Sequence, residues 1–134
     1  MKDPIVKGHP LHAILSDLPI GITIAGTIFD LLGLVLPAKQ WRFAARSTHT
    51  LALLSGIAAA LVGLWDYQAV PRDHPARRTG AVHGYLNASA LLALLLSLTV
   101  RWRSGTNEPG ESAKREPASA HGLSLLALLL LSIS

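Results

Sequence analysis

An all-α, polytopic membrane protein, folded as an antiparallel up-and-down bundle of four helices, is the fold class this sequence predicts. Three observations predict it. Half of the 134 residues are apolar and only 15% are charged, against about 25% in a soluble domain of ordinary composition. The apolar residues are mainly leucine and alanine, gathered into long runs rather than alternating. Such runs satisfy their own backbone hydrogen bonds as helices, which hydrocarbon requires, and the short connections between them make successive helices antiparallel neighbours. Residues 1–134 read as one transmembrane domain.

The first helix is expected over about 11–36, with "LPIGITIAGTIFDLLGLVL" as its most apolar stretch. Pro10 suits the first turn, where its missing N–H has no helical partner. Pro19 falls inside the pattern and predicts a kink or restart, with Asp17 capping the restarted helix by accepting backbone N–H bonds. Pro37 closes the segment. The second helix, "STHTLALLSGIAAALVGLWD", covers 47–66, and the third, "GAVHGYLNASALLALLLSLTV", covers 80–100. Each is long enough, at about 1.5 Å per residue, to cross roughly 30 Å of hydrocarbon. The fourth covers 119–134, after the polar stretch "SGTNEPGESAKREPA". From His121 it offers only about 21 Å of helix. It needs a thinned bilayer, a partner, or more chain beyond Ser134, and a truncated fourth helix is the preferred expectation. Gly26, Gly33, Gly56 and Gly63 supply small surfaces for close helix contact.

The chain has no cysteine, so it supplies no disulfide, iron–sulfur cluster or thiolate zinc site. It holds no phosphate loop, nucleophilic triad or nucleic-acid module, and a stand-alone enzyme is not expected. The net charge of +4 falls between the oily segments and reads as orientation and contact with anionic lipid. Lys39, Arg42, Arg46, Arg101, Arg103, Lys114 and Arg115 share one face, and Lys2, Lys7, Arg72, Arg77 and Arg78 the other. Seven against five favours the N-terminus outside a bacterial inner membrane.

Tracing the helices back and forth sorts the polar residues into two layers. His9, His12, Asp17, Asp66, His74 and His83 gather at the N-terminal face, and His49 and His121 at the other. Helices one and three are diagonal in such a bundle, as are two and four. His12 can therefore face His83, and His49 can face His121. Diagonal histidine pairs are what bis-histidine ligation of haem b requires, with the macrocycle between helices. Gly80, Gly84 and Gly122 leave room for a ring, and Lys7, Arg46, Arg77 and Arg78 are placed to meet propionates. Asp17, Asp66 and Asn87 would orient the imidazoles. An alternative on the same face is a zinc or other divalent-metal site of His9, His12, Asp66 and His83. A third reading is a structural or assembly subunit with no ligand. Asp30, inside the first segment, is either an inward-facing proton or hydrogen-bond partner or a helix-end carboxylate near the interface. Trp41, Trp65, Tyr67 and Trp102 read as interfacial belt residues, and His74 as solvated.

"GHPLHAILSDLPIG", "FDLL", "GLWD" and "RRTGAVHGYLN", taken in order along nearly the whole chain, resemble the signature stretches of the DUF2231 family of small bacterial membrane proteins. The resemblance implies a four-helix membrane domain. Some members join this domain to Rieske-type or other redox modules, which implies electron transfer, with a quinol or a redox protein as partner. Ala13 stands where the family usually has a second proline, and the family's fourth helix usually runs on into a glycine-rich segment.

Overall fold

The computed structural model describes residues 5–6, 9–36, 39–104 and 116–134, with side chains from residue 15 onward. Four helices make up nearly all of it: α1 (Leu11–Val35), α2 (Lys39–Ala69), α3 (Ala76–Arg103) and α4 (Ala118–Ile133). Ahead of α1, a two-residue antiparallel ladder pairs Ile5 with Pro10 and Val6 with His9. Each helix packs on its sequence neighbour and α4 closes back onto α1, leaving α1/α3 and α2/α4 on the diagonals. Three of the helices, α1 to α3, are long and apolar enough to cross a membrane.

The distribution of side chains is that of a protein dissolved in lipid. Ala45, Ala52, Ala59, Ala90, Ala93, Ala120 and Ala127 are buried, whereas Leu31, Leu34, Leu61, Leu92, Leu129 and other large aliphatic residues face outward. Water would penalise so much exposed apolar surface, but hydrocarbon is as apolar as leucine. Contact between backbones then decides packing, and small residues permit the closest approach. Ala52, Ala93, Leu94 and Ala127 form the mid-bundle core, with Ile22 and Leu53 against it. Gly56 belongs to this seam, since a Cβ there would lie 2.5 Å from Leu91 Cδ2 and 3.6 Å from Pro19 Cβ. Hydroxyls bond back to their own helices, as Thr27 to Thr23, Thr48 to Ala44, and Ser132 to Leu128. No lone hydroxyl is thereby offered to lipid at those positions.

Two expectations are corrected. Helix α1 runs through Pro19 unbroken, and Asp17 is an exposed residue on its side rather than a cap. With no restart there are no free N–H groups for Asp17 to accept. The Thr23 hydroxyl donates to the Pro19 carbonyl at 2.6 Å, and hydroxyl contacts and packing of this kind let a transmembrane helix continue past a proline. Helix α2 begins at Lys39 rather than near Ser47 and ends at Ala69. "KQWRFAAR" is rich in good helix formers, and Trp41 stacks on Phe29 of α1 with ring centroids 6.1 Å apart. At about 46 Å, α2 is longer than roughly 30 Å of hydrocarbon requires, and its polar first turns are suited to headgroup depth.

Candidate functional site

Asp30 sits about 8 Å inside the end of α1, only 5% exposed, and groups from the other three helices converge on it. Arg101 of α3 holds it with a two-pronged contact, Nη1 to Oδ1 at 2.7 Å and Nη2 to Oδ2 at 2.8 Å. His49 of α2 places Nε2 3.0 Å from Oδ2. His121 of α4 brings Nδ1 to 3.4 Å from Oδ1, an ion-pair distance. A second carboxylate, Glu116, lies on the approach to α4. It accepts from Arg46 Nε at 2.7 Å and from Arg101 Nη1. The remaining face of Arg101 is met by serines: Nε donates to Ser97 Oγ at 3.2 Å and Nη2 to Ser124 Oγ at 3.0 Å. Ser97 and Ser124 share a hydrogen bond of 2.8 Å.

Local sequence explains how these groups meet. Ser97 and Arg101 are four apart on α3, and His121 and Ser124 are three apart on α4, so each helix presents one polar stripe. Gly26 on α1 leaves the space that His49 fills, for a Cβ there would stand 2.6, 2.7 and 3.0 Å from the ring atoms Cε1, Nδ1 and Nε2. The Asp30 carboxylate can only accept while it holds Arg101 in this way, so His49 carries its hydrogen on Nε2, a tautomer assigned from the network. Its enclosed Nδ1 has no hydrogen-bond partner among the described residues. His121 differs. It borders a cavity of about 20 Å³ lined by Phe29, Asp30, Gly33, Leu34, Arg42 and Glu116 as well.

The other expected site residues are placed differently. His9 and His12 belong to the stretch whose side chains lie outside the described residues. His83 on α3 sets Nδ1 2.7 Å from the Ser134 carbonyl. Asn87 donates to the His83 backbone carbonyl at 2.9 Å, within its own helix, rather than to an imidazole. Asp66 has an enclosed Oδ1 with no hydrogen-bond partner among the described residues. Gly80 does not leave open room beside His83, because the Tyr67 ring lies 3.0 Å from where its Cβ would be. Arg77 is taken up by the Val70 carbonyl at 2.6 Å and by the Tyr67 ring 4.7 Å away. His74 is exposed and accepts from the Ala76 N–H.

Bis-histidine ligation needs two imidazoles on opposite sides of a flat macrocycle. His49 and His121 instead converge on one carboxylate, with the Arg101 guanidinium beside it. As arranged, this pair does not fit haem. Asp30, Glu116 and His121 bring their ligand atoms within 4.8 Å of one another, a plausible donor set for a divalent ion by residue type. Arg101 Nη1, however, already stands between the two carboxylates, so these oxygens fit a guanidinium rather than a metal.

Arg101, Glu116, Ser97 and Ser124 are the members that reading the sequence misses. Arg101 and Glu116 look like charges of a solvated loop, and the one local signal is the Ser97/Arg101 spacing. No curated protein and no solved structure is detectably similar to the chain. The family described as "Predicted membrane protein (DUF2231)" matches residues 8–134. With its apolar exterior, small-residue seams and three membrane-length helices, this chain is a multi-pass membrane protein and belongs to the DUF2231 family.

Proposed function

We propose that the protein works as a proton-responsive element of the membrane, with the Asp30 layer as its titrating centre. One observation carries this reading: a carboxylate inside a membrane span is shared by two imidazoles and an arginine, one from each of the other helices. Ionisable groups at such depth mark ion or proton pathways by default. An arginine alone would neutralise Asp30 and fix the helices. The histidines add a group whose ordinary titration falls between about pH 5 and 8. With both imidazoles neutral, Arg46 and Arg101 pair with Asp30 and Glu116, and Arg42 borders the cavity beside them. A proton on either imidazole adds a positive charge with no further carboxylate to meet it in a low-dielectric layer that joins all four helices, and their packing must answer it.

The test is thermal unfolding of the protein in lipid nanodiscs between about pH 5 and 8, wild type against Asp30→Asn. The wild-type midpoint should move with pH, and the variant's should move much less. A flat wild-type profile, or equal slopes, defeats the proposal.

A second reading has its own support at the opposite face. If His83 donates from Nδ1 to the Ser134 carbonyl, Nε2 becomes the acceptor nitrogen, the tautomer of a ligating histidine. Beside it lies a cavity of about 350 Å³, lined in part by Arg78, Leu86 and Ile133, within the size range of small-molecule sites. Since α1 and α3 are diagonal, His12 and His83 remain the candidate pair for haem b, which would exchange electrons with a quinol or a redox protein. His9 and Asp66 would join them if a divalent ion were held instead. Purified protein should then show Soret and alpha bands on reduction, abolished in His83→Ala; an unchanged spectrum in that variant removes His83.

A further inference from the structure

We infer that protons reach the Asp30 layer through His121 and its small cavity, while His49 is the closed, inner end of the path. The inference rests on the proton-responsive reading and adds to it a direction and a gate.

The two imidazoles stand on the same carboxylate but in unequal surroundings. The His49 side chain is 0% exposed, sealed by Gly26 on one side and Asp30 on the other. The His121 side chain is 19% exposed and borders the cavity. At about 20 Å³, that cavity has the room of one water molecule, and its wall offers the polar groups of Asp30, Glu116, Arg42 and His121 to hold it. The Nδ1 of His121 lies 3.4 Å from Asp30 Oδ1 without the alignment of a hydrogen bond, too close for a water between them and near enough for a small turn of the ring to bring the two atoms into direct contact.

The charged groups around His121 come from every helix packed on it. Asp30 faces it from α1, Arg42 of α2 lines the same cavity, Arg101 of α3 bridges Asp30 and Glu116, and Glu116 precedes α4. A proton arriving on His121 can pass to Asp30 Oδ1 or be shared with it. It can exchange with the hydrogen of His49 only across that carboxylate, because Oδ2 is the contact His49 makes and the facing Nε2 already carries a hydrogen.

Imidazole nitrogen-15 spectra of the whole protein in nanodiscs, taken from about pH 8 to pH 5, test this. His121 should change protonation state across the range, and His49 should keep its hydrogen on Nε2. In His121→Gln, exchange of the His49 Nε2 hydrogen with deuterated water should slow by an order of magnitude or more. The inference is overturned if His49 titrates ahead of His121, or if its exchange is unaffected in the variant. If His121→Gln fails to fold, the order of titration of the two histidines in the wild type still decides. If neither imidazole responds, the proton-responsive reading itself falls.

Discussion

The two ends of this bundle use the same residue types for different work. At the end holding Asp30, arginine, histidine and carboxylate are enclosed, and their contacts run between helices that are far apart in sequence. At the other end, the described polar contacts are mostly local: Arg77 to Val70 and Tyr67, Asn87 to His83, and His74 to Ala76. The exception is His83 against Ser134. A local contact fixes a turn. A contact among four helices fixes the bundle, and in a low-dielectric setting it is costly to leave incomplete. What separates the two ends is enclosure, not composition.

The largest effect expected is that of Arg101→Ala, which strips both Asp30 and Glu116 of their shared partner. Removing one member of a buried ion pair costs about 3–5 kcal/mol, and unfolding in detergent should show a loss of that size. Arg101→Lys should recover only part of it, because an ammonium cannot make the two-pronged contact. Arg77→Ala at the opposite end should cost about 1–2 kcal/mol, the worth of a half-buried cation–π contact and one local hydrogen bond. Similar losses for Arg77→Ala and Arg101→Ala would erase the distinction between the ends.

Gly26→Ala should rank second. The new methyl group must push the His49 ring away from a carboxylate that fixes its position, an overpacking cost of about 1–3 kcal/mol. The same change in a His49→Ala background should be nearly neutral, so a double-mutant cycle measures the fit directly. Additive losses would mean that Gly26 matters for some reason other than the ring.

Much of this arrangement is legible in the sequence, and the part that is not has a physical cause. Four apolar segments, their order and their alternating direction follow from hydropathy and loop length. Depth then puts His49 and His121 in one layer, and the structure brings them onto Asp30. That the carboxylate faces inward is a packing outcome, set by small residues such as Gly26 and Ala120 that let α1, α2 and α4 approach. Arg101 and Glu116 are missed because a charge beside a loop is ordinarily solvated. Here α3 and α4 enclose both. The count of basic residues also depends on burial: without the enclosed Arg46 and Arg101, five remain on each face. Helix ends are also poorly legible, as α2 shows, because headgroup-depth turns carry polar sequence yet still propagate the helix.

The smallest effect expected is the most informative about the second end. Among the described residues, nothing lies within 4 Å of the position a Cβ would take on Gly84, one residue from His83, or on Gly122. Alanine at either place should leave stability unchanged or raise it by about 0.5–1 kcal/mol, through the lower backbone entropy of the unfolded chain. If a macrocycle packs beside His83, Gly84→Ala intrudes on it, and the haem absorbance per mole of protein should fall while the unfolding midpoint does not. Gly122→Ala, at the Asp30 end, should leave that absorbance alone. A loss of stability with Gly84→Ala would instead place a protein surface against that glycine. The open face beside His83 would then belong to helix packing, as Gly26 does at the other end.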